Sequence, residues 1–302
     1  MKMIKKIPIT DLTDQQISIY NSRSETALFR MNEPAPGVFI AETELVIRRA
    51  LDAGFVPLSM LCLEDQIENL SDLIKKCENL FFSRCSNNIY TAENENVRIN
   101  EHNSILSDIN CGFPVYYAKN ETLKNLIGFP LTRGVLCAMK RKILPDTDTV
   151  LADAKNIAVL CEIENPTNIG TIFRNAAALN IDAVILYGNC SDPLYRRSLR
   201  AGMGCQFSIP WTFSDNLLSI KEKGFSLAAL ALSDESVTLS EFSESDIAKK
   251  AILLGNEGKG LSEEILKICD HVIKIPMREG IDSLNVAVAS GIAFYEICLK
   301  NR

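Results

Sequence analysis

Two histidines in 302 residues, and ten cysteines without one CxxC pair, leave this chain short of zinc-ligand spacings; no metal is expected. Most of the cysteines sit in apolar segments such as AVLCEIE and FYEICLK, which reads as buried, reduced thiols. No apolar run reaches the 18 or so residues of a membrane span, so no membrane association is expected. The opening MKMIKKIPITDLTDQQ has lysines but neither an apolar h-region nor a small-residue cleavage site; a cytoplasmic protein is expected. Repeats and low-complexity tracts are missing. No GxGxxG follows the first strand of the second half, and no GxxxxGK[ST] occurs anywhere, which argues against a nicotinamide or flavin oxidoreductase and against a P-loop enzyme.

A basic excess is missing too: 32 Lys+Arg face 38 Asp+Glu, a net charge of −6. Residues 1–142 hold 17 of each sign, so residues 143–302 hold 32−17 = 15 basic and 38−17 = 21 acidic side chains. The second half carries all the acidity, and any nucleic-acid contact there has to be a local patch.

What is present is α/β alternation. The polar, Asp/Thr-rich stretch RKILPDTDTVLADAKN is the best boundary, giving a small domain over 1–142, a linker over 143–153 and a second domain over 154–302. In the first, 37–55 reads as a strand running into a helix that ends at Gly54, and a strand, a helix and a strand–helix–strand unit follow. The segment NIYTAENENVRINE has no clear pattern. In the second, strands are expected at 156–164, 183–188, 206–211, 225–233, 251–257 and 271–277, with helices between them and a long closing helix from Ser283. These strands are near-continuous apolar runs, which suits a parallel sheet covered on both faces, with sites beyond the C-terminal strand ends.

Three segments fall at those ends. In NPTNIGTIFRNAA, Asn168 is placed to cap the helix and Gly170 to allow tight packing. Arg174 stands out: in the opening turns of a helix a cation is disfavoured by about 0.3–1 kcal/mol. It reads either as an arginine snorkelling to solvent or as a site residue. In ILLGNEGKGLSEE, Gly255, Gly258 and Gly260 suit close backbone approach to a ligand or a plain solvated loop, and Glu257 among them has no packing role. In IPMREGIDSLNVAVASGIAF, Asp282 or Ser283 is the expected helix cap, and Asn285 lies in an apolar run. A buried, unpaired amide there would cost about 1–3 kcal/mol, so Asn285 needs a partner such as Arg174 or Glu257.

In this order and at these distances, the three segments resemble motifs 1, 2 and 3 of the SpoU/TrmH-type RNA 2′-O-ribose methyltransferases of the SPOUT class. Motif 1 resembles Asn168-x-Gly170-x3-Arg174-x-Ala176; motif 2, Gly255-Asn256-Glu257-Gly258-x-Gly260; motif 3, Ile275-Pro276-Met277 followed by Ser283-Leu284-Asn285-Val286. RSLRAGMGCQFSIPW resembles the family's segment between motifs 1 and 2, and the likeness spans about residues 154–300. Residues 1–140 look, more weakly, like its small L30e-like RNA-binding domain. The resemblance implies a deep C-terminal trefoil knot, a homodimer formed through the knotted domain, and S-adenosylmethionine held by Gly255, Ile275 and Leu284. It implies Arg174, Asn168, Glu257, Ser283 and Asn285 as the catalytic set. Many relatives have glycine two residues after the IPM methionine; here that residue is Glu279, and Gly280 follows.

A guanidinium stays charged, so Arg174 is expected to hold a phosphate and stabilise the developing alkoxide rather than act as a base. RNA contacts are expected from Arg196, Arg197 and Arg200, and in the first domain from Arg48, Arg49, Arg133, Lys140, Arg141 and Lys142. Ribosomal RNA is favoured over transfer RNA because a separate N-terminal domain accompanies the catalytic one. A catalytically silent RNA-binding or assembly factor on the same fold is the rival from another class.

Overall fold

The structure, a computed structural model, describes residues 4–10, 17–21, 24–91, 112–127, 134–233, 236–281 and 283–299. Arg133, Asp282 and most of the unassigned NIYTAENENVRINE stretch lie outside the described residues. The chain divides into two compact units between Ile143 and Leu144.

The first unit runs β1 (Ile4–Pro8), α1 (Ser18–Asn21), α2 (Glu25–Phe29), β2 (Val38–Glu42), α3 (Glu44–Asp52), β3 (Val56–Leu63), α4 (Ser71–Thr91), β4 (Phe113–Ala118), α5 (Asn120–Ile127) and β5 (Val135–Lys140). Its sheet has the order β1-β4-β3-β5-β2: β1, β4 and β3 are parallel, while β5 runs antiparallel to both β3 and β2. Helix α3 ends where expected, with Gly54 at φ +76 just past it, a conformation that suits glycine.

The second unit runs α6 (Thr147–Leu151), β6 (Asn156–Cys161), α7 (Pro166–Ala178), β7 (Ala183–Tyr187), α8 (Arg196–Gly202), β8 (Trp211–Ser214), α9 (Leu218–Glu222), β9 (Ser226–Leu230), β10 (Val237–Thr238), α10 (Leu239–Ser243), β11 (Lys250–Leu254), α11 (Glu263–Ile268), β12 (His271–Lys274) and α12 (Val286–Cys298). Seven strands pair in the order β10-β12-β9-β11-β6-β7-β8, every pair parallel. Alternate strand residues such as Ile157, Val159, Ile185, Leu227 and Leu253 form one buried core with Leu151, Ile220 and Ile265 of α6, α9 and α11. Helix α7 packs against β7 and is flanked by α8 and α12.

Three expectations shift. The expected linker contains α6, capped by Asp146 and anchored by buried Val150 and Leu151, which join the second unit's core. The strand expected at 206–211 starts only at Trp211: Cys205–Phe207 form a 3-10 turn after left-handed Gly204. Pro210 has no N–H to give a ladder, and its carbonyl receives Val184. The short β10–α10 stretch was not anticipated. No described helix is long and apolar enough to cross a membrane.

Gly170 explains itself by space. A Cβ on it would stand 2.1 Å from the Ser198 carbonyl and 2.9 Å from the Gly202 nitrogen, so α7 and α8 touch backbone to backbone.

Candidate active site

Strands β6 and β11 are neighbours in register to their ends, Leu160 opposite Leu254. From β6 the chain moves outward through β7 and β8, then crosses back to β9 on the far side. The C-terminal ends of β6 and β11 therefore flank a topological switch point, where α/β sheets place ligands. The three motif segments leave the sheet from β6, β11 and β12.

Helix α7 starts earlier than expected. Asn165 is its N-cap, accepting the Thr167 N–H at 2.9 Å, and Pro166 opens it, which suits proline because the first helical N–H needs no partner. Asn168 is thus not the cap but the third helical residue, nearly buried at 7% exposure. Its side chain is turned to the site: Nδ2 donates to Glu257 Oε1 at 2.6 Å, and Oδ1 accepts from Asn285 Nδ2 at 3.2 Å. Asn285 is also misplaced by the sequence reading. It is exposed, and it is itself the N-cap of α12, its Oδ1 accepting the N–H groups of Ala287 at 2.9 Å and Val288 at 3.4 Å. Its partner is Asn168, not Arg174.

This chain has one direction. The α12 N–H groups can only donate, so Asn285 must present its oxygen to them and its amide nitrogen to Asn168. Asn168 must then accept with Oδ1 and give Nδ2 to the carboxylate. Helix end, two amides and carboxylate fix one another's orientation.

Glu257 rides on a tight loop. Asn256 and Gly260 exchange backbone hydrogen bonds of 3.2 and 2.9 Å, and a Cβ on Gly255 would stand 2.6 Å from the Gly260 carbonyl carbon and the Leu261 nitrogen. The glycines bring the two arms of the loop together. Below it a cavity of about 640 Å³ opens between residues 230–232, the 255–261 loop and residues 273–289. Gly255, Ile275 and Leu284 line it, and so do Glu257, Ser283 and Asn285. Ser283 is exposed beside the cavity and does not cap α12, although it was a candidate for that role. Gly280 takes φ +82, so the one-residue displacement of glycine after Met277 serves a left-handed turn.

Arg174 is the ninth of the thirteen residues of α7. It is well past the first turn, and the dipole conflict read from the sequence disappears because the helix begins at Pro166. It is exposed and makes no hydrogen bond or ion pair among the described residues, neither with Glu257 nor with Asn285. Beside it, Asn168, Thr171 and Asn175 of α7 face Asn285, Val288 and Ile292 across an open groove of about 440 Å³. Asn175 was missed by the sequence reading: its Nδ2 donates to Ala287 O at 2.7 Å and Ser290 Oγ at 2.9 Å, tying α7 to α12. The signal was available, since Asn175 lies two helical turns beyond Asn168 on the same face.

The basic candidates divide. On α8, Arg197 and Arg200 are exposed and Arg196 is half-buried. In the first unit, Arg48 is engaged by Glu44 at 2.8 Å and Asp72 at 3.0 Å. Arg141 is buried over the Phe29 ring, and Lys142 donates to Ala53 O while lying over Phe55. Arg49 is half-buried and Lys140 is exposed. Among the described residues no acidic, cysteine or histidine cluster could hold a metal. Cys62, Cys77, Cys137, Cys161 and Cys298 are buried, and burial pushes the Cys62 thiol up to about 12 and those of Cys190 and Cys269 to about 11.

Residues 155–295 match the model of the SpoU rRNA Methylase family. Over 262 residues the chain is 34% identical to an uncharacterised tRNA/rRNA methyltransferase of Mycobacterium bovis, covering 85% of this chain and 79% of that one. It is 30% identical over 197 residues to the 23S rRNA (guanosine-2′-O-)-methyltransferase RlmB of Acinetobacter baylyi, covering 62% and 79%. Its fold is similar to that of the crystal structure of an AdoMet-bound rRNA methyltransferase from Sinorhizobium meliloti, with a TM-score of 0.69, 21% identity and 97% of each chain covered.

Proposed function

Because this chain belongs to the SpoU rRNA methylase family, we propose that it transfers a methyl group from S-adenosylmethionine to a ribose 2′-hydroxyl of RNA, with ribosomal RNA as the substrate. The observation that carries this reading is the Asn285–Asn168–Glu257 chain at the mouth of the 640 Å³ cavity. That volume falls in the usual range for small-molecule sites, about 300–1,000 Å³. Its lining, a glycine-walled loop with Ile275 and Leu284, suits a nucleoside held by backbone groups and apolar contact. Gly255, Ile275 and Leu284 would hold the cofactor, which when bound supplies an electrophilic methyl on a sulfonium.

The protein's part is orientation and charge. A ribose hydroxyl is a poor nucleophile near neutral pH, so its geometry and its proton both need management. Glu257 Oε1 is committed to Asn168, while Oε2 has no partner among the described residues. Oε2 accepts the hydrogen bond of the 2′-hydroxyl and takes its proton as the hydroxyl oxygen is methylated; solvent removes that proton afterwards. Ser283 and Asn285, at the cavity rim, bracket the ribose. Arg174, uncommitted among the described residues, binds the adjoining phosphate and stabilises the alkoxide charge as it develops. The rRNA assignment is supported by the 23S rRNA specificity in the name of the Acinetobacter relative and by the presence of a first unit. That unit we read as an L30e-like RNA-binding domain.

Residues 275–286 would thread the loop after β9 and so make the trefoil knot; that the 230–232, 255–261 and 273–289 segments wall one cavity supports this. A homodimer is supported by Val288, Ile292 and Tyr295, 53%, 41% and 54% exposed on one face of α12. The reaction takes place in the cytoplasm. Incubation with labelled S-adenosylmethionine and ribosomal or transfer RNA from a strain lacking this gene, with the product nucleotide mapped, tests the reading. Arg174→Ala and Arg174→Lys should abolish transfer with cofactor binding intact. A methyl on a base, or turnover retained in Arg174→Ala, would overturn it.

A further inference from the structure

Glu257 can act only if its loop stands at the right height above α7. Among the described residues, two side-chain hydrogen bonds cross from the 255–260 loop to the 162–168 segment that leads from β6 into α7. One is the Asn168–Glu257 bond of 2.6 Å already described. The other involves a residue with no assigned role: Asn256 Nδ2 donates to the Glu162 carbonyl at 2.8 Å. The same side chain holds the loop from within, its Oδ1 accepting the N–H groups of Gly258 at 2.9 Å and Lys259 at 3.1 Å. The acceptor end is unusual too. Glu162 adopts φ +56, a left-handed conformation seldom taken by a residue with a side chain. Its N–H is bonded to Tyr187 O at 3.0 Å, and its Cγ fits within 3.0 Å of where a Cβ would stand on Gly188. The carbonyl that receives Asn256 is thus fixed on the sheet side as well.

Only a side chain that accepts with one atom and donates with the other can do both jobs. An aspartate could accept from Gly258 and Lys259, but it would turn an oxygen, with no hydrogen, toward the Glu162 carbonyl. A serine can accept within the turn but is too short to span to Glu162.

We infer that Asn256 is the positioning residue of this site: by tying the loop to the end of β6 it sets where the Glu257 carboxylate meets Asn168 and the ribose hydroxyl. This rests on the methyltransferase reading above. Asn256 lines the cavity beside Glu257, but both polar atoms of its side chain are taken up by the Glu162 carbonyl and by the Gly258 and Lys259 N–H groups, so it acts through Glu257. Replacing it by a side chain that still accepts within the turn but does not donate to Glu162 moves the carboxylate while leaving the turn in place.

The test compares Asn256→Asp and Asn256→Ser with the wild type in the full chain. The probes are labelled S-adenosylmethionine and ribosomal RNA from a strain lacking the gene. Misplacement by about 1 Å costs on the order of 100-fold, so kcat should fall by about 10–100-fold in both variants, with KM for RNA little changed. Calorimetric affinity for S-adenosylmethionine and the melting temperature should stay near wild type. On acidification from about pH 7 to about pH 5, Asn256→Asp should gain on Asn256→Ser, because a protonated carboxyl can again donate to Glu162 while the serine cannot. A crystal structure of either variant should show Glu257 drawn away from Asn168. Wild-type kcat in both variants, or activity lost only in step with cofactor affinity, overturns the inference while the methyltransferase reading stands. A wild type that methylates no RNA overturns both.

Discussion

Asn168 and Glu257 meet at 2.6 Å, the shortest link in the site. Replacing that amide by a carboxylate gives a direct test of the chain's polarity. Asn168→Asp sets two carboxylates against each other, and one must take up a proton before they can share a hydrogen bond. Below the raised carboxyl pKa the proton bridges them and the geometry survives; above it they repel. We expect methyl transfer by Asn168→Asp to fall, relative to wild type, as pH rises from about 5 to about 8. A pH-rate profile that parallels wild type would show that this contact does not orient the carboxylate. Arg174 poses the reverse case, a charge with no partner among the described residues. Lys in its place keeps the charge but loses the planar two-pronged donor, which is why the conservative variant should fail along with alanine.

Two helices carry the site's precision. Helix α7 bonds to α12 through Asn168 and Asn175, and approaches α8 at Gly170 with no room for a methyl group. Gly170→Ala would push Cβ against the Ser198 carbonyl, which is backbone and cannot swing aside. Overpacking of this kind destabilises by about 1–3 kcal/mol. The thermal midpoint should drop by roughly 2–4 °C for each kcal/mol in a domain of this size. A midpoint unchanged within error would mean that the helices part without penalty. Helix α12 gives the other prediction at this scale. Its outer face shows Val288, Ile292 and Tyr295 in a single stripe, a surface that water solvates poorly. Val288→Glu together with Tyr295→Glu should turn a dimer into a monomer by sedimentation; a monomeric wild type would remove the dimer from the proposal.

Across the whole molecule the net charge of −6 sets the problem. The acidity falls in the second half, yet that half carries the cavity and the side chains proposed to be catalytic. RNA has to be held against this field by local clusters, of which Arg197 is exposed while Arg48 is paired with Glu44 and Asp72. A few phosphate contacts make affinity fall by more than about ten-fold between 50 and 200 mM salt. Filter binding across that range should show it, and a flat response would point to a contact surface without phosphates. Arg197→Ala should lower the slope, whereas Arg48→Ala should not, because its guanidinium is held by Glu44 and Asp72.

By itself the sequence determined the parts that depend on local pattern. The apolar runs at 156–164 and 183–188 announced buried parallel strands because both faces of such strands are covered. The three motif segments were legible because glycine, a charge amid apolar residues and an amide at a helix start each violate local preference. Tertiary structure decided what depends on residues far apart in the chain. It made Asn165 and Asn285 the caps, since a cap is fixed by which N–H groups are left over once the helix is packed. It paired Asn285 with Asn168, 117 positions away, rather than with Arg174. It buried Arg141 and engaged Arg48, and so removed two cations that sequence alone presents as free. Charge and hydrophobicity are written residue by residue, but a hydrogen bond needs two positions, and only the fold says which two meet.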